Sequence, residues 1–467
     1  MRSRLAVLVA AAMFVALSSS AATQAAPLDD VCIAVSPIGL PCVGLDKLVE
    51  ATAAECRRLG IPDSDCVLPG GHTVLEAERD AYQRSWVHRA AQFQYALGNS
   101  VDFGQVQWLG THNSFNSVND SITISHTDSN QQLSLAQQLD ADIRAIEIDI
   151  HFINGVPTVC HGQGPDSADF GCTTEPPLSA VLPEIAGWLN KPEHRDQVIL
   201  LYVEDELKKD TAYPPAVAQF DAKLRRPDGS SLIYRPDRAM AAANGCVTMP
   251  HDISRDDVRA AGAQIVMVGN CAKGWAADVF SWNPNEVESG STSAYKPFPA
   301  CDATYPRSVY DAKLVRYFED STFVSVATDP TAPAVDPQRL TPAKAAAMTA
   351  CGVNLFGFDQ FLPGDGRIAA TIFSWAPGQP DANVGNCAAQ RVGGRWVTRG
   401  CARPRRAGCR TATGWKLTSA KVTFKRAAAA CRAAGASFVP PRTGYENSLL
   451  HQAAAGRGAW VNYKLKS

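Results

Sequence analysis

The sequence predicts an α/β protein built on a TIM-type (β/α)8 barrel, with latitude for irregular strands, a disulfide-rich N-terminal extension and a small α+β C-terminal module. Three observations support this. From Gln105 to about Gly378, short β-rich runs alternate with helical or loop segments, the arrangement of a parallel sheet. Polar residues able to do chemistry follow those runs directly, where a closed barrel places its active site, at the strand C-termini. On either side the composition changes, to cysteine-bearing upstream and to basic and alanine-rich downstream.

Residues 1–26 read as a secretory signal peptide. Arg2 and Arg4 precede an apolar run from Leu5 to Leu17, and small residues then lead to a cleavage point near Ala22 to Ala26. That run is short for a bilayer span and no later stretch is long and apolar enough, so a secreted, extracellular and soluble protein is expected. Export also governs how the 14 cysteines are read. Their number is even and they are scattered rather than grouped at zinc spacing, so disulfides are expected, with Cys56–Cys66 and Cys160–Cys172 as candidate local pairs. The closest thiols, such as Cys401 and Cys409, are too loosely spaced for a metal site.

Residues 27–104 form the extension, in which Cys32, Cys42, Cys56 and Cys66 staple a loop-rich cap. A helix follows from Thr73 to Leu97, where Ala77, Tyr82, Trp86, Ala90, Phe93 and Leu97 recur at three-to-four spacing. Residues 105–378 hold the barrel, with strands over Val106 to Gly110, Ala145 to Ile150, Val198 to Val203, Gln264 to Val268, Phe323 to Ala327 and Val353 to Phe358. Residues 379–467 comprise a basic connector, with arginines from Arg391 to Arg410, and a terminal module. The whole chain has 44 basic and 46 acidic residues, so it lacks a broad electrostatic grip on nucleic acid and no such partner is expected. The arginine run reads as solvated surface, or as a transient contact with acidic lipid headgroups.

The chemistry concentrates in Arg144 to His151. Strand side chains alternate faces, so Ile146, Ile148 and Ile150 share one face and Glu147, Asp149 and His151 the other. In a barrel strand the isoleucines meet the surrounding helices and the carboxylates point inward. Like charges this close require either a raised pKa or a bound cation. Other polar groups follow strands nearby. His112 and Asn113 come directly after an apolar run, His161 follows Val156 to Cys160, and Glu204 ends Val198 to Val203. Asn113, Glu147, Asp149 and Glu204 make an all-oxygen set suited to a hard cation such as calcium or magnesium.

Taken in order, His112-Asn113, Glu147-x-Asp149, His161-Gly162 and the strand ending at Glu204 resemble the phosphatidylinositol-specific phospholipase C superfamily, in particular its calcium-dependent branch. The resemblance is firm over Gln105 to Glu204 and extends architecturally to a closing strand that delivers Asp359. Metal-independent bacterial members carry an arginine where this chain has Asp149, so the resemblance implies a metal. It further implies that Asn113, Glu147, Asp149 and Glu204 hold calcium, that Glu147 takes the inositol 2-hydroxyl proton, that His161 protonates the leaving diacylglycerol oxygen, and that His112 hydrogen-bonds the phosphoryl oxygens. A phospholipid substrate and a cyclic inositol phosphate product follow. His151 matches no family position and is expected to be structural.

One departure qualifies the likeness, and one contrast with a neighbouring barrel class favours it. The basic signatures by which animal members grip ring phosphates are missing, which leaves phosphatidylinositol, a glycosylated form and other phosphodiesters open. Glycerophosphodiester phosphodiesterases and sphingomyelinase D-like enzymes use a related constellation, but normally show His-Arg and His-Asp where this chain has His112-Asn113 and His161-Gly162. The terminal segment, with Cys431, Tyr445-Glu446-Asn447 and Ala459 to Tyr463, resembles the first half of a C-type lectin-like module without its calcium-and-sugar motif. A non-catalytic exported protein that binds glycans or surfaces is the alternative of a different class.

Overall fold

Side chains separate by parity along each strand, and this separation shapes the molecule. The computed structural model describes residues 74, 76–117, 130–161, 176–271, 273–275, 278–282, 286–288, 298–301, 314–319 and 340–465. Helices α1 (Glu76–Gln83) and α2 (Trp86–Leu97) lead into β1 (Trp108–Thr111), α3 (Leu135–Asp140), β2 (Ala145–Ile153), β3 (Val156–Val159), α4 (Leu178–Leu189) and β4 (Ile199–Asp205). The chain continues through α5 (Tyr213–Lys223), β5 (Val247–Thr248), α6 (Arg255–Ala260), β6 (Ile265–Gly269), β7 (Val279–Ser281), β8 (Glu286–Glu288) and β9 (Leu314–Phe318). The barrel region ends with α7 (Pro342–Cys351), β10 (Leu355–Phe358) and α8 (Arg367–Thr371).

These strands form one 10-stranded sheet in the order β5-β7-β6-β4-β2-β1-β10-β9-β8, with β3 folded antiparallel onto β2. The other pairings are parallel. β1 lies between β2 and β10, so the beginning and end of the barrel sequence are neighbours, as an irregular TIM-type barrel requires. Ile146, Ile148, Ile150, Leu201 and Phe356 pack outward with Leu182, Ile185, Phe220 and Met348 of the helices. Trp108, Ala145, Leu200, Tyr202, Val268, Phe280, Trp282 and Leu355 fill the inside as a separate cluster. Each fully buried Ile or Leu contributes about 1.5–3 kcal/mol, so shifting β2 by one residue would forfeit several such terms at once. Gly110 is forced by proximity, because a Cβ there would stand 2.6 Å from Phe356 O and 2.8 Å from Ala145 Cβ.

The N-terminal helix departs from expectation. A single helix over Thr73 to Leu97 is interrupted at Ser85, whose extended backbone (φ −72°, ψ 161°) lets its Oγ accept from His88 N and start α2 afresh. Serine competes for backbone donors more effectively than the apolar spacing around it can enforce continuity. α2 then covers the barrel floor. Tyr95 OH accepts from Val198 N at 2.7 Å and donates to Val198 O at 3.0 Å, while Gln94 Oε1 accepts from Phe373 N at 3.0 Å. The Arg255 guanidinium, fully buried, is held 3.8 Å from the Tyr95 ring centroid and 4.9 Å from that of Trp108.

The arginine-rich run expected as a connector is instead folded into strands. β11 (Cys387–Gln390), β12 (Trp396–Arg399), β13 (Arg406–Arg410), β14 (Trp415–Leu417) and β15 (Ala459–Lys464) form a 5-stranded sheet in the order β12-β11-β15-β13-β14. Helix α9 (Phe424–Ala433) packs on one face with Ala407, Cys409 and Trp460. Helix α10 (Gly444–Ala454) covers the other through Leu450, where Trp375, Trp396 and Phe93 join the sheet to the barrel. Asn447 of α10 secures this junction. Its amide donates to Phe373 O and Gly394 O at 3.0 Å each, and its Oδ1 accepts from Gln390 Nε2 at 2.9 Å and Trp396 Nε1 at 2.8 Å.

Disulfides join Cys246–Cys271, Cys301–Cys351, Cys387–Cys401 and Cys409–Cys431. Cys160 is also disulfide-bonded, whereas Cys172, the Cys56–Cys66 pair, the cysteine-bearing cap and the strand expected over Phe323 to Ala327 lie outside the described residues. Among the described residues no helix is long and apolar enough to cross a membrane.

Replacing Asn447 with Ala strands buried partners on both sides of the junction. We expect a stability loss of about 2–4 kcal/mol, read as an earlier thermal transition in near-ultraviolet circular dichroism. An unchanged transition would show that the junction does not depend on this amide.

Candidate active site

The site is built where β1, β2, β4 and β10 end. Parallel pairing of β2 with β4 sets Glu147 beside Tyr202 and Asp149 beside Glu204. Ligand oxygens of Glu147, Asp149 and Glu204 all lie within 4.8 Å of one another. Glu147 is 1% exposed and Asp149 6%. Three carboxylates at this spacing repel, and their burial deepens the cost. Burial and the neighbouring Glu204 push Glu147 up to about 7 against the opposing pull of His112, and burial with Glu147 and Glu204 raises Asp149 well above the usual carboxylate range.

The turn after β1 supplies the next two groups. Asn113 takes a left-handed backbone (φ 44°), for which asparagine is among the better-tolerated side chains. Asn113 N donates to Glu147 Oε2 at 2.8 Å, Glu147 N donates to Ser114 Oγ at 2.9 Å, and Gln131 Nε2 donates to the carbonyls of His112 (2.6 Å) and Phe358 (2.7 Å). The turn is therefore fastened to β2 and β10 together. Asn113's amide lies 2.8 Å from Asp149 Oδ2, and it donates there when its nitrogen is turned inward. Its oxygen in the opposite orientation faces the carboxylate, an arrangement that a cation between them would satisfy. The donor set is thus all oxygen and crowded, buried at Glu147, Asp149 and Asn113 and half-buried at Glu204, and it fits a hard divalent ion.

His112 sits between acids. Nδ1 is 3.1 Å from Asp359 Oδ1 and Nε2 is 3.9 Å from Glu147 Oε2. Burial disfavours its charged form, yet Asp359 and Glu147 outweigh burial and hold the imidazole up at about 10. Asp359 is itself fixed. Its Oδ1 accepts from Asn130 Nδ2 at 3.1 Å, its backbone N donates to Glu319 Oε2 at 2.6 Å, and Arg367 Nη1 bonds both Glu319 and, at 2.9 Å, the Asp359 carbonyl.

His161 enters from β3. Cys160 N donates to Asp149 O at 3.3 Å, which brings the chain at the half-buried His161 back alongside the middle of β2, near Asp149. His151 is 1% exposed and lies further along β2, beyond Asp149. A wall of residues completes the lumen that sequence reading did not single out. Tyr202 and Trp282 stack at 4.2 Å between centroids, the Arg316 guanidinium lies 5.2 Å from the Trp282 ring and 5.1 Å from Phe318, and Phe318 is 5.8 Å from His112. The charge of Arg316 also opposes the rise in the Glu147 pKa. A lone cation in the apolar run Leu314-Val315-Arg316-Tyr317-Phe318 is the signal that could have found it.

The family model described as the Rv2075c PI-PLC-like domain matches residues 67–365. The chain belongs to this family. As a member of the PI-PLC-like family it carries a phospholipase C-like phosphodiesterase domain, and its substrate class is in general a phospholipid. It is 57% identical over 443 residues to "Uncharacterized protein Rv2075c" and to "Uncharacterized protein MT2135", from two strains of Mycobacterium tuberculosis, spanning 93% of this chain and 91% of each relative. Among solved structures, this PI-PLC-like chain is similar to the phosphatidylinositol-specific phospholipase C of Listeria monocytogenes, with a TM-score of 0.40 and 16% identity over 61% of this chain and 97% of that one. A mutant of the corresponding Staphylococcus aureus enzyme matches with a TM-score of 0.40 and 11% identity over 62% of this chain and 96% of that one.

The Asp359 contact carries a sign. Replacing Asp359 with Asn removes the largest charge favouring His112 protonation, so the imidazole pKa should fall by about one to three units. Histidine nitrogen shifts followed by NMR over pH would measure this, and an unmoved titration would show that Asp359 does not hold the proton.

Proposed function

We propose that the protein is a secreted, calcium-assisted phospholipase C that cleaves phosphatidylinositol or a closely related phosphodiester and releases a cyclic inositol phosphate. One observation carries this reading: the buried Glu147 and Asp149 and the half-buried Glu204, from neighbouring strands, converge beside an imidazole that a fourth carboxylate, Asp359, keeps charged. Family membership supports the reaction class, and the signal-like residues 1–26 support export.

Glu147, Asp149, Glu204 and Asn113 would hold a calcium ion, which would supply positive charge to offset that developing at the phosphate and would favour ionisation of the attacking hydroxyl. The larger ion is preferred to magnesium because several protein oxygens are offered at once. Glu147 accepts the proton of the inositol 2-hydroxyl as that oxygen bonds to phosphorus. The bond from phosphorus to the diacylglycerol oxygen breaks, and His161 delivers a proton to the departing oxygen. His112, oriented through Nδ1 by Asp359, donates from Nε2 to phosphoryl oxygens whose charge grows in the five-coordinate transition state. Arg316, on the same lumen wall, offsets anionic charge from the opposite side.

Purified protein should cleave phosphatidylinositol in calcium, lose activity in chelator and recover less with magnesium, with phosphorus NMR detecting the cyclic phosphate. Full activity in chelator would remove the metal from the mechanism, and free glycerol phosphate as product would transfer the protein to the glycerophosphodiesterase class. His112→Ala and His161→Ala should each reduce turnover by roughly a hundredfold or more. Equal rates before and after either change would exclude that histidine.

A further inference from the structure

The C-terminal unit has a charge unlike that of the chain around it. Residues 379–467 contain sixteen Lys and Arg against two acids, Asp381 and Glu446, a formal charge of +14 in a chain whose total is −2. The preceding residues therefore carry −16. Placement matters as much as number. The sheet face bearing α10 is turned to the barrel through Asn447, Trp396 and Phe93, so the face bearing α9 points away from it.

Cations collect on that outward side. Arg405 lies 5.5 Å from the Trp460 ring, on the α9 side of the sheet, and burial together with the adjacent Arg399 and Arg403 guanidiniums lowers its pKa. The chain from Lys421 into α9 runs beside them, with Arg405 N donating to Val422 O and Phe424 N donating to Cys401 O. Lys421, Lys425, Arg426 and Arg432 are exposed. Among the described residues none of these seven cations has an ion-pair partner. Glu446 is buried on α10 and engaged with Arg410 at 3.1 Å, and Asp381 caps its own loop through Asn383 N.

We infer that the α9 face of the C-terminal unit docks on an anionic phospholipid bilayer. Like charges gathered without counter-charges cost stability unless a polyanion meets them. Apart from the cations, the exposed residues of α9 are Ala429 and Ala433, so no bulky exposed side chain holds a flat surface away. Single-stranded nucleic acid is the poorer occupant, because its binding relies on exposed rings for stacking. Here Trp460 is fully buried, and Phe424 packs edge-on with both Phe438 and Trp460. The choice of lipid over a soluble polyanion rests on the phospholipase C-like class of the barrel, but the docking requires no particular substrate.

The test uses the full mature chain and vesicles without phosphatidylinositol, so its outcome is separate from cleavage. Co-sedimentation should show at least about tenfold stronger binding to phosphatidylcholine vesicles containing one part in three phosphatidylglycerol than to pure phosphatidylcholine, in chelator and about 0.1 M salt. The combined variant Lys421→Glu, Lys425→Glu, Arg426→Glu and Arg432→Glu should lose about a hundredfold or more of that binding, while retaining its circular dichroism spectrum and its rate on a soluble phosphodiester. Equal binding to both vesicles, undiminished binding by the folded variant, or retention on heparin without vesicle binding would each overturn the inference. If the variant does not fold, wild-type binding that persists in about 1 M salt overturns it as well.

Discussion

Three carboxylates whose oxygens lie within 4.8 Å of one another form the constraint around which the barrel rim is organised. Glu147, Asp149 and Glu204 are there because β2 and β4 pair in a single register, and that register is imposed by isoleucines on the opposite face packing under the helices. The apolar exterior of the strand therefore fixes the polar interior. A slip of one residue would turn the acids toward the helices and the isoleucines toward the lumen.

Crowded negative charge shapes everything nearby. His112 retains its proton because Asp359 and Glu147 outweigh the penalty of burial, and Arg316 opposes the same field from across the lumen. Support extends further out through Arg367, which joins Glu319 to the Asp359 carbonyl and to that of Gln360. Buried polar groups of this kind are stable only when each finds a partner, and here β10 and its following loop supply partners in succession.

Much of this was legible in the sequence wherever a short-range pattern carried it. Alternation over Ile146 to His151 gave the inward face, and an acid closing Val198 to Val203 gave Glu204. Arg316 and Phe318 on β9, and Trp282 just after β7, escaped because those strands span only five and three residues, too short for alternation to speak. Ser85 split a helix that apolar spacing alone would continue. The strands between Arg391 and Arg410 were obscured for another reason. Arg391, Arg395 and Arg399 recur every four residues, which gives no two-residue alternation, and the central partner, β15, lies more than fifty residues downstream of β11. Pairing across that separation leaves no local trace.

The amide of Asn447 joins two bodies that also meet through apolar contact, through backbone bonds between Trp396 and the Ser374 and Ala376 segment, and through Arg395 donating to Ala369 O. A hinge would let each half find its own orientation, and this junction denies them that freedom. Whatever grips the outer sheet consequently sets the angle at which the barrel's mouth is presented, much as a bracket aims the lamp bolted to it.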